Sequence, residues 1–184
     1  MVLKNTNFVK RNIINQLLSF FLFLLILFIM SCQVSKKNSK KEGEKSFKSA
    51  QWEITSLKDE SILTKSQLEG KIAVLHFFAS WCPPCVSEFP HFIKWEQANR
   101  GKDSLLIVPI SLDRSKSAAN SFIKKHNPSL NCYFDKGEAA DFFKIDSIPT
   151  TLVIDYEGNL VFIKSGAVNW ESGEIDKVIK KING

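Results

Sequence analysis

The sequence lacks the features that define several large classes of protein. Its 184 residues include only four cysteines, and these do not have the spacing of a disulfide framework. It contains no internal repeat and no nucleotide-binding motif. We therefore predict one domain of ordinary size with no cofactor of its own, large enough to bury a core without disulfide staples.

The predicted folded part also lacks an excess of charge of either sign. Residues 1–32 contain three basic and no acidic residues, and residues 33–50 contain six lysines and two glutamates. Residues 51–184 contain 16 basic and 17 acidic residues, so the net charge of +6 comes from the first 50 residues. Without a basic stripe on the folded part, a nucleic-acid partner is not expected.

The hydrophobic run near the N-terminus is shorter than the about 20 residues that a membrane span needs. Residues 17–30 are nearly all apolar and follow Lys4, Lys10 and Arg11, as in a signal peptide. Residues 29–32, Ile-Met-Ser-Cys, resemble a bacterial lipobox, which implies cleavage before Cys32 and lipidation of its sulfur. The alternative is an uncleaved signal anchor. Both interpretations tether the chain to a membrane and place the rest of it outside the cytoplasm, in the cell envelope.

The composition divides the chain into three parts. Residues 1–32 are the predicted lipoprotein-type signal peptide. Residues 33–50 are rich in lysine and serine with little to bury, which is typical of a flexible tether. Residues 51–184 form the predicted folded domain.

Cys82 and Cys85 form a C-x-x-C motif between an apolar run at residues 72–79 and a helical pattern at residues 83–99. An extended run leading into such a motif at a helix start predicts a redox dithiol. At the helix N-cap, unpaired backbone N–H groups and the positive end of the helix dipole would stabilise a Cys82 thiolate. Cys85 lies about one turn later, and Pro83 suits the first helical position because its missing N–H would have no partner there.

The remaining pattern alternates strands with helices and predicts an α/β fold with a mixed sheet. The predicted strands are residues 51–57, 72–79, 104–112, 131–134, 151–155 and 160–164. The predicted helices are residues 83–99, 115–126, 138–144 and 171–182. In the first helix we expect an apolar stripe at Val86, Phe89, Ile93 and Gln97, and a kink at Pro90.

Residues 81–85, Trp-Cys-Pro-Pro-Cys, together with Pro90 and the Ile148-Pro149-Thr150 segment, resemble the thioredoxin superfamily over roughly residues 50–184. Within it, the chain is similar to the membrane-tethered TlpA/ResA-like thiol-disulfide oxidoreductases. An extra strand–helix pair before Pro149 favours this group. So do Glu88 in a C-x-x-E-x-P pattern and, more weakly, Gly166 with Trp170.

The resemblance implies a thioredoxin-like fold and a division of roles at the site. Pro149 would have a cis peptide bond, and the backbone of Ile148 would pair with a substrate strand. Cys82 would be the nucleophile and the more exposed thiol, Cys85 the shielded resolving thiol. Substrates would be protein disulfides, including apocytochrome c before haem attachment, and electrons would come from a membrane-bound donor.

Five further residues are candidates for supporting roles. Pro83 and Pro84 remove N–H groups beside Cys82, which favours a reducing couple and hence a protein-disulfide reductase. Glu88 is either a proton relay or substrate contact, or a solvated carboxylate stabilised by the helix dipole. His76 is either a proton buffer for Cys85 or a hydrogen-bonded core histidine. We expect Trp81 to shield the dithiol.

Other chemistries fit the sequence less well. A zinc site needs four ligands, and the remaining candidates Cys132, His76, His91 and His126 form no second paired motif. Cys132 is expected to be a buried strand residue, and His91 and His126 to be ordinary surface residues of helices. A thiol peroxidase and a copper- or zinc-carrying dithiol protein remain alternatives, although the Cys82 region lacks the Thr/Ser-x-x-Cys setting typical of peroxidases.

Overall fold

The computed structural model describes residues 51–184, which form one mixed β-sheet flanked by helices. The predicted signal peptide, the tether and Cys32 lie outside the described residues. The strands are β1 (Glu53–Ser56), β2 (Ile62–Thr64), β3 (Ile72–Phe78), β4 (Leu105–Ser111), β5 (Tyr133–Phe134), β6 (Thr150–Ile154) and β7 (Leu160–Ser165). The helices are α1 (Pro83–Asn99), α2 (Lys116–His126), α3 (Glu138–Phe143) and α4 (Glu174–Ile182), with 3₁₀ turns at Lys65–Leu68 and Trp170–Ser172.

The seven strands have the order β2-β1-β5-β4-β3-β6-β7. β3 is parallel to β4 and antiparallel to β6, so the sheet is mixed as predicted. The extra strand–helix pair, β5 and α3, lies between α2 and β6 and therefore before Pro149. The predicted α/β fold class and its insertion are confirmed.

Strand β3 lies in the middle of the sheet, and all seven of its residues are buried. Successive side chains of a strand point to opposite faces. Ile72, Val74 and Phe78 therefore join a core that includes residues of α1, α2 and α4. Ala73, Leu75 and Phe77 join a second core with residues of β1, β4 and α3. By the same alternation His76 belongs to the face that α1 covers.

Helix α1 has the predicted bounds, but its buried face coincides only in part with the predicted stripe. Its buried residues are Cys85, Glu88, Phe89, Phe92, Trp95, Glu96 and Asn99. Of the predicted stripe, Phe89 is buried, Val86 and Ile93 are partly buried and pack against the core, and Gln97 is exposed. The buried face also includes three polar side chains, which a pattern of apolar residues does not reveal.

Two short elements differ from the sequence prediction. Residues 62–64 form strand β2, which pairs antiparallel with β1, and the sequence predicted no strand there. Three residues are too few to show a period in the sequence. The predicted C-terminal helix is divided into a 3₁₀ turn at Trp170–Ser172 and helix α4, with Gly173 in a left-handed conformation between them.

Candidate active site

Cys82 and Cys85 are joined by a disulfide bond at the start of α1. Cys82 is the N-cap residue, and its sulfur accepts a 3.4 Å hydrogen bond from the backbone N–H of Cys85. Pro83 and Pro84 fill the first two helical positions and have no N–H to offer. Cys85 therefore provides the one backbone donor of the first three helical residues that the Cys82 sulfur can use.

The two cysteines differ in their access to solvent. Cys82 is 4% exposed and Cys85 is fully buried, so an attacking group from solution reaches the sulfur of Cys82 first. Trp81 is 61% exposed, and its indole is available to a molecule that approaches Cys82.

The loop before β6 faces the dithiol. The Ile148–Pro149 peptide bond is cis, as the resemblance implies. The carbonyl oxygen of Ile148 lies 3.6 Å from the Cys82 sulfur, and Ile148 itself is only partly buried. The Thr150 hydroxyl donates a 2.7 Å hydrogen bond to the Ser147 carbonyl oxygen and fixes the loop from its other side.

A buried carboxylate holds the segment that precedes the dithiol. Asp113 follows β4 and is 4% exposed. It accepts hydrogen bonds from the backbone N–H of Ser80 at 3.2 Å and from the Ser80 hydroxyl at 2.6 Å. The Ser111 hydroxyl donates to the same carboxylate at 2.8 Å. Asp113 thereby connects the end of β4 to the residue two positions before Cys82.

Glu88 lies one turn after Cys85 on the buried face of α1 and is 5% exposed. Its Oε2 accepts a 2.7 Å hydrogen bond from the backbone N–H of Val168. Burial raises the pKa of Glu88 to about 7, against the opposing effects of the Val168 N–H, the Trp170 side chain and the charge of Lys164. The solvated-carboxylate interpretation of Glu88 is therefore wrong, since the carboxyl group is inside the protein.

His76 is fully buried and lies opposite Thr151 in the β3–β6 pairing. Its Nδ1 is 3.0 Å from the Thr151 hydroxyl, and its Nε2 is 3.4 Å from Glu88 Oε1. Burial lowers the pKa of His76 to about 3, so the imidazole is neutral at physiological pH. The ring lies among Phe92 and Trp170, with ring centroids 4.8 and 5.3 Å away.

A family model described as thioredoxin-like matches residues 70–160, which include the dithiol, Glu88 and the cis proline. The chain belongs to the thioredoxin superfamily. Among its relatives, the thiol-disulfide oxidoreductase ResA of Oceanobacillus iheyensis is 35% identical over 113 residues, covering 60% of this chain and 57% of that protein. The sporulation thiol-disulfide oxidoreductase A of Bacillus subtilis is 31% identical over 107 residues, covering 56% of this chain and 64% of that protein.

This thioredoxin-like chain thus spans less than two thirds of the length of these two curated relatives. The crystal structure of StoA from Bacillus subtilis superimposes with a TM-score of 0.60 at 24% identity, covering 73% of this chain and 97% of that one. The structural likeness supports the fold, and the two sequence relatives support the TlpA/ResA-like group within the superfamily.

The structure brings most of the predicted residues of the thioredoxin-like site together. Cys82, Cys85 and Ile148 meet at one point, and Glu88 and His76 face each other beneath the helix. Sequence reasoning missed three residues that hold this arrangement, Asp113, Thr151 and Val168. Only Asp113 gives a sequence signal, because a serine and an acid two residues apart end a buried strand.

The other cysteine and the other histidines are not part of this thioredoxin-like site. Cys132 is fully buried, and burial, together with the charge of Asp113, raises the pKa of its thiol far above the usual range. It lies just before β5 rather than in a strand. His91 is exposed, with Nδ1 3.0 Å from Glu171 Oε1, whereas His126 is partly buried against Phe122 with ring centroids 4.3 Å apart.

Three further observations concern the described part of the chain. Across residues 51–184, no three His, Cys, Asp or Glu side chains are grouped so that they could hold a metal ion. No helix in that range has both the length and the apolar character that crossing a bilayer requires. A cavity of about 610 Å³ lies beside α4 and the β6–β7 turn, lined by Tyr156, Val161 and Ile182 among others, and no residue of the dithiol or the cis-proline loop lines it.

Proposed function

We propose that this protein is an extracytoplasmic thiol-disulfide oxidoreductase that reduces protein disulfides through Cys82 and Cys85. The observation that carries the proposal is the position of the dithiol. A slightly exposed sulfur at a helix N-terminus faces the Ile148 carbonyl of a cis-proline loop, while its partner sulfur is buried one turn inside. This arrangement favours attack at Cys82 and resolution by Cys85.

The reaction requires two exchanges of sulfur bonds. In the reduced enzyme the Cys82 thiolate attacks one sulfur of a substrate disulfide, the substrate S–S bond breaks, and one substrate thiolate leaves. Cys85 then loses its proton and attacks the Cys82 sulfur. The mixed disulfide breaks, the second substrate thiolate leaves, and the Cys82–Cys85 disulfide seen here remains. Two electrons pass to the substrate, whose thiolates take up protons from solvent.

The second exchange needs an acceptor for the proton of a fully buried thiol. Glu88 is the nearest candidate along the helix, since residues three apart share one helical face. With a pKa raised to about 7 by burial, its carboxylate takes up a proton far more readily near neutral pH than an exposed glutamate. We therefore assign Glu88 the role of proton acceptor for Cys85.

The direction of electron flow follows from the donors around Cys82. Because Pro83 and Pro84 have no N–H, the sulfur receives a backbone hydrogen bond only from Cys85 among the first three helical residues. A less stabilised thiolate makes the disulfide form relatively more favourable and the couple more reducing. We therefore propose that the protein acts as a reductase rather than an oxidase.

The proposed location and partners rest on the N-terminal sequence and on the family. A signal peptide that ends at Cys32, followed by the tether at residues 33–50, would attach the domain to the outer side of a membrane. Substrates are proposed to be proteins with accessible disulfides, including apocytochrome c, and electrons to come from a membrane-bound donor. Metabolic labelling with radioactive palmitate tests the tether, because a lipidated chain loses the label in Cys32→Ser but not in Cys132→Ser.

Trapping of substrates tests the proposed activity. Cys85→Ser leaves Cys82 able to attack but removes the resolving thiol, so cells producing this variant should accumulate mixed disulfides that a reductant releases. Cys82→Ser is the matched control and should trap nothing. Absence of any mixed disulfide in Cys85→Ser, or retention of a bound metal ion by the reduced wild type, would contradict the proposal. Turnover of hydrogen peroxide that exceeds reduction of a protein disulfide would instead favour a thiol peroxidase.

A further inference from the structure

A line of buried polar groups connects strand β6 to the loop after β7 through His76 and Glu88. The Thr151 hydroxyl lies 3.0 Å from His76 Nδ1, and His76 Nε2 lies 3.4 Å from Glu88 Oε1. Glu88 Oε2 then accepts the backbone N–H of Val168 at 2.7 Å. Within residues 51–184, neither Nε2 of His76 nor Oε1 of Glu88 has a hydrogen-bond partner, although both are buried. Because buried polar atoms are normally hydrogen-bonded, a proton between Nε2 of His76 and Oε1 of Glu88 would satisfy both atoms.

The position of that proton follows from the neighbours of each atom. The Val168 N–H occupies Oε2 of Glu88, which leaves Oε1 as the oxygen that carries the proton when the carboxyl group is neutral. A proton on Oε1 needs a hydrogen-bond acceptor. In a neutral histidine, Nε2 can accept a hydrogen bond only when the ring proton is on Nδ1. The Thr151 hydroxyl next to Nδ1 can accept that ring proton.

We propose that His76 is a positioning residue for the dithiol reaction, held by Thr151 as its neutral Nδ1–H tautomer so that its Nε2 accepts a hydrogen bond from the protonated Oε1 of Glu88. This inference rests on the proposed function and goes beyond it. His76 and Thr151 make no hydrogen bond to a sulfur of the dithiol, and the inference assigns to them the control of the proton affinity of Glu88.

The consequence for the reaction lies in the two states of Glu88. When Glu88 is ionised, the Nε2 lone pair faces the negative carboxylate at close range in a dry site, and this arrangement is unfavourable. When Cys85 attacks Cys82, the proton leaves the Cys85 sulfur for Oε1, the Cys82–Cys85 bond forms, and the lone pair gains a donor. On reduction, the same proton returns from Oε1 to the Cys85 thiolate.

The other groups around Glu88 do not reverse this effect. Lys164 of β7 lowers the pKa of Glu88, but its ammonium group is paired with Glu174 of α4 at 2.6 Å. The segment after β7 contributes the Val168 N–H and the Trp170 side chain, and hydrogen bonding from both lowers the pKa of Glu88 without outweighing the effect of burial. The Trp170 indole meets the His76 ring edge-on. Helix α1, which carries Glu88 itself, also contributes Cys85, the donor of the transferred proton, and the uncharged ring of Phe92. His76 is the titratable group of β3 in this contact.

Nitrogen NMR of the imidazole tests the tautomer directly. We would label the full-length oxidised protein with ¹⁵N-histidine in detergent and measure its three histidines from pH 5 to 8. His76 should show a protonated Nδ1 and an unprotonated Nε2 at pH 6. Its Nε2 signal should change as Glu88 ionises. His91, whose exposed ring faces Glu171 on the protein surface, is the internal control, because its surroundings do not include Glu88. A His76 ring with its proton on Nε2, or with both nitrogens protonated, would overturn the proposal.

Variants of Thr151 test the control of Glu88 independently. Thr151→Val is nearly isosteric but cannot accept from Nδ1, so the ring proton should move to Nε2, where it stabilises the ionised carboxylate. Carbon NMR of the Glu88 carboxyl group should then show its titration midpoint shifted toward acid by about one pH unit, the size of one net hydrogen bond. Thr151→Ser should retain the wild-type midpoint.

Glu88→Gln provides a second measurement if Thr151→Val is too unstable. Its amide can donate to Nε2 at every pH, so His76 should remain the Nδ1–H tautomer throughout. An unchanged midpoint in folded Thr151→Val, or the Nε2–H tautomer in Glu88→Gln, would refute the assignment. Both measurements use the resting oxidised protein. They can therefore refute the assignment of His76 while Cys85→Ser still traps substrates, and they can support it even if Cys85→Ser traps none.

Discussion

Glu88 of the dithiol helix and Val168 of the loop after β7 are joined by a 2.7 Å hydrogen bond across 80 residues of sequence. The bond ends on a carboxyl group that is almost entirely buried. The protein thus keeps a titratable group under its redox centre, and the position of that group depends on distant parts of the chain. The ionisation of Glu88 should therefore affect both the folding free energy and the chemistry of the site.

The first prediction concerns the stability contributed by Glu88. Its pKa is about 7 in the folded state and near 4.5 when unfolded, so the folded protein binds more protons between these values. The contribution of Glu88 to the free energy of unfolding is therefore complete below pH 4.5 and is lost as pH rises to about 7. The loss is on the order of 3 kcal/mol.

Urea denaturation of the oxidised protein from pH 4 to 8 measures this loss. Glu88→Gln keeps an acceptor for Val168 and cannot titrate, so the difference between wild type and variant should shift in favour of the variant as pH rises. Glu171→Gln, at the exposed His91 pair, is the control and should leave the slope almost unchanged. An equal slope in wild type and Glu88→Gln would show that the buried carboxyl group does not titrate in this range.

The second prediction concerns His76, whose effect has the opposite sign. Its pKa is about 3 in the folded state and near 6.5 when unfolded, so the unfolded chain binds the extra proton between these values. Stability from a neutral His76 is present above pH 6.5 and declines as pH falls, by about 2 kcal/mol at pH 5. Between about pH 4.5 and 6.5 the two slopes should largely cancel in wild type.

The comparison of His76→Gln with His91→Gln in the same denaturation series isolates this effect. Because the His76 variant has no buried imidazole to protonate on unfolding, its stability should fall more steeply with rising pH than that of wild type over pH 4.5 to 6.5. His91→Gln should retain the flatter profile. A wild-type profile that is steep in this range would mean that one of the two buried groups does not behave as described.

A structural feature can be predicted from this sequence when it depends only on neighbouring residues. The C-x-x-C motif, the N-cap position of Cys82 and the bounds of α1 follow from neighbouring residues, and the structure agrees. Burial of Glu88 depends on Val168 and His76, which no local pattern relates to it. A carboxylate in the second turn of a helix is usually solvated, so its true environment could not be inferred from helical spacing.

The partners of His76 and Asp113 could not be predicted for the same reason, because they are distant in the sequence. The alternation along β3 places His76 on one face of the sheet, but its partner Thr151 is set by the β3–β6 register. That register is a property of the whole sheet. Asp113 could be recognised as a residue at the end of a strand, whereas its hydrogen bonds to Ser80 depend on how β3 and β4 lie side by side.

The third prediction concerns Asp113 as the anchor of the segment before the dithiol. Asp113→Asn retains only one acceptor oxygen for donors on Ser80 and Ser111, so at least one buried hydrogen bond to a carboxylate is lost. The expected cost is about 2 kcal/mol in the free energy of unfolding. Native-state hydrogen exchange of the Ser80 amide should also become faster.

Ser111→Ala separates this local effect from general destabilisation. It removes one donor to the Asp113 carboxylate and the acceptor of the Asp113 backbone N–H, but leaves both bonds from Ser80 in place. It should therefore leave the Ser80 amide protected even though it lowers the free energy of unfolding. If Ser80 exchanges equally fast in both variants, Asp113 is not the anchor of this segment.

The fourth prediction concerns the reactivity of Cys132. Burial and the nearby negative charge of Asp113 raise the pKa of its thiol, so it stays protonated and inaccessible across the neutral range. Iodoacetamide at pH 8 should label Cys82 in the reduced native protein and leave Cys132 unmodified. In urea, Cys132 should react at the rate of an ordinary cysteine. Mass spectrometry of the peptides distinguishes the sites, and rapid native labelling of Cys132 would contradict its burial.

The fifth prediction assigns different effects to the two prolines of the dithiol. The side chain of an N-cap residue accepts hydrogen bonds from the second and third helical residues, and Cys85 is the third. Pro84 is the second, so Pro84→Ala restores an N–H that is directed at the Cys82 sulfur. The thiolate becomes more stable, and the reduced form gains on the order of 1.4 kcal/mol, which makes the couple about 30 mV more oxidising.

Pro83→Ala is the matched control, since it makes the same chemical change at the first helical position, whose N–H does not face the cap side chain. Its reduction potential should remain close to that of wild type. Titration against glutathione buffers measures the potentials, and the pH dependence of Cys82 alkylation should show a lower thiol pKa in Pro84→Ala alone. Equal shifts in both variants would point to a change of the whole helix terminus. No shift in either would mean that the prolines do not set the direction of electron flow.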